Sequence, residues 1–209
     1  MTTSYQEMTL DQQLRIAEIE RRGGDELEVQ TAILSVLDGR SPAELMALPL
    51  KEYAALSLNK RFMDYPVPKG SARTLRKGRL HLEPTTDPSK LTVAQLVDFQ
   101  ELCKRKDDAV IADLLAVFYV PKGCVYGETD PQKGGYDLDE VKRAVLSLPV
   151  PDAVASYAFF LKKFARSLTR TLSSSRMTAR TKEAIRTNIP LMEELRRILF
   201  RLNGDGLIQ

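Results

Sequence analysis

The chain has 209 residues, 43% of them hydrophobic and 28% charged, enough apolar material for one large buried core or two small ones. No apolar run approaches the roughly 20 residues of a membrane helix. Met1-Thr2-Thr3-Ser4-Tyr5 has neither the basic start nor the apolar centre of a signal peptide, so a soluble chain made in the cytoplasm is expected. Two cysteines, Cys103 and Cys124, and one histidine, His81, exclude a disulfide scaffold and the usual zinc ligand sets.

The net charge of +3 is unevenly spread. Residues 59–80 carry Lys60, Arg61, Lys69, Arg73, Arg76, Lys77 and Arg79 against Asp64, a net of +6; residue 160 onward carries +7, leaving −10 for the rest. Basic segments of this kind draw an anionic partner or dock on acidic bodies of the same or a neighbouring chain.

Residues 1–8 read as a flexible leader. Thr9 and Gln12 then form a T-x-x-Q capping box, opening a helix that runs to Arg22 and stops at Gly23-Gly24. Asp25 caps a second helix with Leu27, Ala32, Ile33, Val36 and Leu37 as its inward stripe, ending at Asp38-Gly39. Ser41-Pro42-Ala43-Glu44 combines an N-cap, a first-turn proline and a capping glutamate, and the short helix it starts ends before Pro49. A helix from about Leu50 carries Tyr53 and Leu56 as far as the Pro66-Val67-Pro68 break.

From Pro66 to Ser89 the helical period disappears, which marks an extended arm. Within it Thr74–Glu83 suits a hairpin about Lys77-Gly78, since Leu80 and Leu82 alternate with polar residues. Thr92 and Gln95 repeat the capping box and start a helix expected to face Val93, Leu96, Val97 and Phe99 inward. Val110, Ile111, Leu114, Leu115 and Phe118 stripe the next helix, which Pro121 ends. A glycine-rich loop over residues 121–136 leads to a helix capped by Asp137 and Glu140, and Asp152 is expected to cap a longer one whose core face includes Val154, Tyr157, Leu161 and Leu168. Beyond Ser173-Ser174-Ser175, Ile185, Ile189, Met192, Leu195, Ile198, Leu199 and Leu202 read as amphipathic helix bent at Pro190, suited to capping the body or to meeting a partner.

Part of this pattern occurs twice. Met8-Thr9-Leu10-Asp11-Gln12 aligns with Leu91-Thr92-Val93-Ala94-Gln95, and Ile33-Leu34-Ser35-Val36-Leu37 with Leu114-Leu115-Ala116-Val117-Phe118. Ser41-x-x-Glu44-Leu45 then aligns with Asp137-x-x-Glu140-Val141, and Leu48-Pro49-Leu50-Lys51-Glu52 with Leu148-Pro149-Val150-Pro151-Asp152. Four blocks in one order predict a duplicated unit that stacks on its own copy. The expected fold class is therefore all-α: two related multi-helix modules, 1–65 and 91–172, joined by a basic arm at 66–90 and followed by a helical extension at 173–209.

No catalytic pattern emerges. In Gly127–Gly135 the lysine of a phosphate loop would need a hydroxyl residue after it, whereas Lys133 is followed by Gly134-Gly135. Asp107 and Asp108 sit at a helix start, where they meet the helix dipole, and His81 has no nucleophile beside it. The expectation is a non-enzymatic protein with no cofactor or metal. Anionic partners would be met by Arg73, Arg76, Lys77, Arg79, Arg166, Arg170, Arg176 and Arg180. Phe118, Tyr119, Tyr157 and Phe160 are candidate apolar partner contacts, although each also suits the core.

Residues Leu27–Leu56, with Asp38-Gly39-Arg40-Ser41-Pro42-Ala43-Glu44-Leu45 between two helices and Ala47-Leu48-Pro49-Leu50-Lys51-Glu52-Tyr53 after them, resemble bacteriophage tail assembly chaperones. The second copy is similar. The resemblance implies a helical phage morphogenesis protein that shields the apolar tape-measure protein, or a helical component of the virion, without catalysis. It implies tape-measure, tail or connector proteins as partners, self-association as an option, and residence in the host bacterial cytoplasm during assembly or in the particle. The duplication and the basic segments depart from a single-module chaperone. They keep open a nucleic-acid-binding helical protein that uses the arm and C-terminal extension.

Overall fold

A computed structural model describes residues 1–71, 74–78, 80–85, 90–102, 104–105 and 107–173, with the side chains of Lys77, Leu96 and 163–173 outside the description. Within it α1 (Leu10–Arg22), α2 (Glu26–Asp38), α3 (Pro42–Met46) and α4 (Leu50–Asn59) are followed by a 3-10 turn at Lys60–Asp64. Strands β1 (Leu75–Lys77) and β2 (Leu80–Pro84) precede α5 (Val93–Leu102) and α6 (Val110–Phe118). Strand β3 (Tyr119–Pro121), α7 (Leu138–Leu146) and α8 (Val150–Ser173) complete the described chain. The expected C-terminal helical extension over 174–209 lies outside the described residues.

The protein is mostly helical, and the all-α expectation is corrected by a small antiparallel sheet of order β1-β2-β3. The expected hairpin forms, with Lys77 opposite Leu80 and Gly78 at φ 55 in its turn, where only glycine is free of strain. What the sequence reading lacked is β3. Helix α6 passes straight into extended backbone at Tyr119, and Pro84, Glu83 and Leu82 pair with Tyr119, Val120 and Pro121. The hairpin is thereby anchored to the helical core, burying Leu75 and Leu82.

Local capping follows the sequence closely because it needs only near neighbours. Both expected capping boxes of the first half form, Thr9 with Gln12 and Ser41 with Glu44, the latter with Pro42 in the first turn. Asp25 accepts from the Leu27 N–H at 3.1 Å and Asp137 from the Asp139 N–H at 2.9 Å. Helix α8 starts two residues before its expected cap. Pro149 is its N-cap residue, as Pro49 is for α4, while Asp152 lies in the first turn and accepts the Ser71 N–H at 2.7 Å.

Helix α6 is the centre of the core. Every residue of it except Asp113 is buried, and it packs on α5, α7, α8 and β3. Burial of each of its large apolar side chains contributes about 1.5–3 kcal/mol, so this helix holds the others to it. Phe118 stacks on Phe160 with centroids 3.8 Å apart and meets Phe99 edge-on at 5.5 Å.

The first eight residues are not a free leader. Thr2 N–H donates to the Leu37 carbonyl at 2.8 Å, the Tyr5 hydroxyl donates to the carbonyls of Met63 and Tyr65, and Met8 is fully buried. Tyr5 also packs edge-on against Phe62 at 5.1 Å, tying the N-terminus to the end of the first helical body.

Candidate interaction surface

The two capping-box glutamines do more than cap. Gln12 accepts the Thr9 N–H and sends its own amide Nε2–H to the Val36 carbonyl at 3.0 Å. Gln95 accepts the Thr92 N–H and sends Nε2–H to the Val117 carbonyl at 2.9 Å. Val36 and Val117 occupy the same place in the aligned blocks, at the end of the following helix, so one side chain closes the same helix pair in both halves.

The link between the halves is a short stretch of extended chain. Met8-Thr9-Leu10 runs antiparallel to Leu148-Pro149-Val150: Leu10 N–H donates to the Leu148 carbonyl and Val150 N–H to the Met8 carbonyl, both at 2.9 Å. The donors are first-turn groups that a helix cannot satisfy itself. Met8, Leu10 and Val150 are fully buried there, and Leu148 nearly so.

In the aligned segments elsewhere in the chain Leu48 and Leu91 are partly buried, but the last residue of each is bare. Leu50, the counterpart of Val150, is 83% exposed, and Val93, the counterpart of Leu10, is 79% exposed. No other large hydrophobic residue among those described is as exposed. Neither the Leu50 nor the Val93 N–H has a hydrogen-bond partner among the described residues. Met46 on α3 and Leu58 on α4 are also exposed, and α4 has no buried residue, being held to α2 by the Tyr53 hydroxyl, 2.8 Å from Thr31 Oγ1. One turn on from Val93, Val97 is exposed as well. The inward stripe expected for α5 is thus rotated: Gln95 and Phe99 are buried, while Val93 and Val97 face outward. Leu27 likewise faces outward from α2.

Of the two roles open to the four aromatic candidates, partner contact and core, the structure places them in the core. Phe118, Tyr119, Tyr157 and Phe160 are all buried, Tyr119 and Tyr157 completely, so they hold α6, β3 and α8 together. Of the basic candidates, Arg76 is exposed on β1, and Lys77 lies on the same strand. Arg166 and Arg170 belong to the far half of α8, and Arg73, Arg79, Arg176 and Arg180 lie outside the described residues.

One charged cluster was missed. Arg105 grips Asp107 with two hydrogen bonds, Nε at 2.9 Å and Nη2 at 2.7 Å, and also reaches Asp113, which pairs in turn with Lys142 on α7. The Arg105 guanidinium holds the Asp107 carboxyl below the usual carboxylate range, and Asp107 raises Arg105. Nearby, burial and the Asp98 carboxylate, which accepts its hydroxyl at 2.6 Å, raise Tyr126. Asp113 is the one polar residue of α6, so this cluster ties an otherwise apolar helix to α7.

No family model, curated protein or solved structure matches this chain. Among the described residues no helix is long and apolar enough to cross a membrane.

Proposed function

We propose that this is a non-enzymatic phage particle morphogenesis protein that works by protein–protein contact, as a tail assembly chaperone or a helical virion component. It is built from two copies of one helical module, residues 1–65 and 91–172. Its partners are tape-measure, tail or connector proteins, met in the host cytoplasm during assembly or retained in the particle. Supporting the reading are the resemblance over Leu27–Leu56 and the matched Gln12–Val36 and Gln95–Val117 hydrogen bonds. The observation that carries it is the set of large apolar side chains left on the surface of a well-packed body, Leu27, Met46, Leu58 and Val97 beside Leu50 and Val93. Such residues are contact surface rather than core.

The test is co-expression with a long, apolar, helical tape-measure polypeptide. The partner should stay in the supernatant and co-elute with this chain even at about 1 M salt, where exposed charge pairs are screened beyond about 3 Å. Precipitation of the partner to the same extent with and without this chain overturns the reading. A second reading, nucleic-acid binding by the arm, is favoured by Arg76 on the outer strand of the sheet. It predicts affinity that falls steeply with salt and is lost when Arg73, Arg76, Lys77 and Arg79 are neutralised together.

A further inference from the structure

The seam inside the chain has two halves, and each half is present a second time without its mate. Met8–Leu10 is the first half and Leu148–Val150 the second; they meet and are buried. Leu91–Val93 repeats the first half and Leu48–Leu50 the second, each placed at a helix start as in the seam. Thr92 caps α5 with Gln95 as Thr9 caps α1 with Gln12, and Pro49 stands before α4 as Pro149 stands before α8. The two most exposed large hydrophobics among the described residues are the counterparts of two fully buried ones.

Symmetry decides where the missing mates are. If the two modules were related by a twofold axis, both pairs of halves would meet inside the chain, since a twofold contact is made twice. Only one pair meets. The relation between the modules is therefore of the head-to-tail kind, which leaves one unused half at each end of the molecule. Applying the same relation again places Leu91–Val93 of one chain against Leu48–Leu50 of the next.

We propose that copies of this chain join head to tail through those two segments, in the geometry of the internal seam. In that contact the Val93 N–H donates to the Leu48 carbonyl of the next copy, and that copy's Leu50 N–H donates back to the Leu91 carbonyl. Leu50 and Val93 become buried as Val150 and Leu10 are. The assembly grows as a filament or closes as a ring, according to the rotation per module. This inference rests on the duplication put forward above and not on the identity of any phage partner.

The experiment uses the purified full chain and two variants, Leu50→Glu and Val93→Glu. Each places a charge on a side chain that is exposed in the single chain, so circular dichroism and thermal unfolding should match the unaltered protein at low concentration. Light scattering after size separation should show the unaltered chain growing in mass with concentration beyond a dimer. Each variant alone retains one intact half and should remain monomeric. Mixed in equal amounts, the Leu50→Glu chain still offers Val93 and the Val93→Glu chain still offers Leu50, so the mixture should form dimers that grow no further.

A monomeric unaltered chain at all concentrations overturns the proposal. So does growth of either variant alone, or a mixture that stays monomeric. Because no partner protein is present, failure here leaves the tape-measure reading standing, and failure of tape-measure co-elution leaves this one standing.

Discussion

The first and second helical bodies share aligned sequence blocks and bury them differently. In the second, α8 buries Val150, Ala153, Val154, Tyr157, Phe160 and Leu161; in the first, α4 buries nothing. Leu50 is as apolar as Val150, so the difference is not in the residue but in what lies over it. Over the start of α8 lie residues 8–10 and the extended segment ending at Gly70, where an added Cβ would stand 2.1 Å from the Pro151 carbonyl oxygen. The start of α8 is covered by other parts of the same chain, and the start of α4 is not.

The sharpest test of that contrast is truncation at matched positions of α4 and α8. Continuing the offset of 100 that aligns Leu48–Glu52 with Leu148–Asp152 puts Ser57 opposite the fully buried Tyr157. Tyr157→Ala should cost about 3–5 kcal/mol in denaturant unfolding, as large aromatic deletions in a core do. Ser57→Ala removes only a hydroxyl bonded to the Tyr53 carbonyl one turn back, and should change stability by less than about 0.5 kcal/mol. Equal effects would mean that α4 is packed as tightly as α8.

The same comparison at the helix starts is nearly as large. Leu10→Ala should cost about 2–5 kcal/mol, since Leu10 is fully buried in the seam. Val93→Ala should leave the monomer within about 0.5 kcal/mol of the parent. Urea midpoints measured at low protein concentration, where any assembly is dissociated, separate the two.

The glutamines offer a gentler contrast, because both make the same bond in different surroundings. Gln95 is 2% exposed, so Gln95→Ala strands the Val117 carbonyl in the core and should cost about 1–3 kcal/mol. Gln12 is itself only half-buried, so Gln12→Ala should cost less, about 1 kcal/mol. Thermal unfolding of the two variants side by side is the check.

These contrasts also show how far the sequence could be read. Thr9, Ser41, Thr92 and Asp137 announce helix starts through residues two or three positions away, and that information is local. Strand β3 is three residues long and carries no period, so its pairing with β2 depends on where α6 happens to end. Tyr5 and Met8 look like leader residues because the groups that receive them, at Met63, Tyr65 and Leu148–Val150, are distant in sequence. The exposure of Leu50 and Val93 was least legible of all. The aligned blocks are apolar at these positions in both copies, and only the arrangement of the two bodies decides which copy is covered. The aromatic candidates failed as surface for the converse reason: hydrophobicity marks burial and contact alike.

The smallest expected effect separates two ion clusters at aligned places. In the first body Glu18 accepts from both Arg21 and Arg22, and its carboxyl is held below the usual range by those hydrogen bonds. In the second body Arg105, the counterpart of Arg22, turns away from Glu101 and binds Asp107 and Asp113. Hydrogen bonding to Arg105 is the first cause of the lowered Asp107 pKa, with burial acting the other way. A carboxyl whose folded pKa lies below its unfolded one adds stability that is fully present above the ordinary range near pH 4 and is lost as pH falls through the folded value. Asp107→Asn removes that contribution, so its unfolding midpoint should fall less steeply than the parent's below about pH 4. Glu18→Gln, whose partners Arg21 and Arg22 are more exposed to solvent than Arg105, should flatten the acid limb less. Denaturant midpoints from about pH 2 to pH 6 read both slopes. Identical slopes for the two variants would mean that the Arg105–Asp107 pair is as loosely coupled to folding as a surface pair.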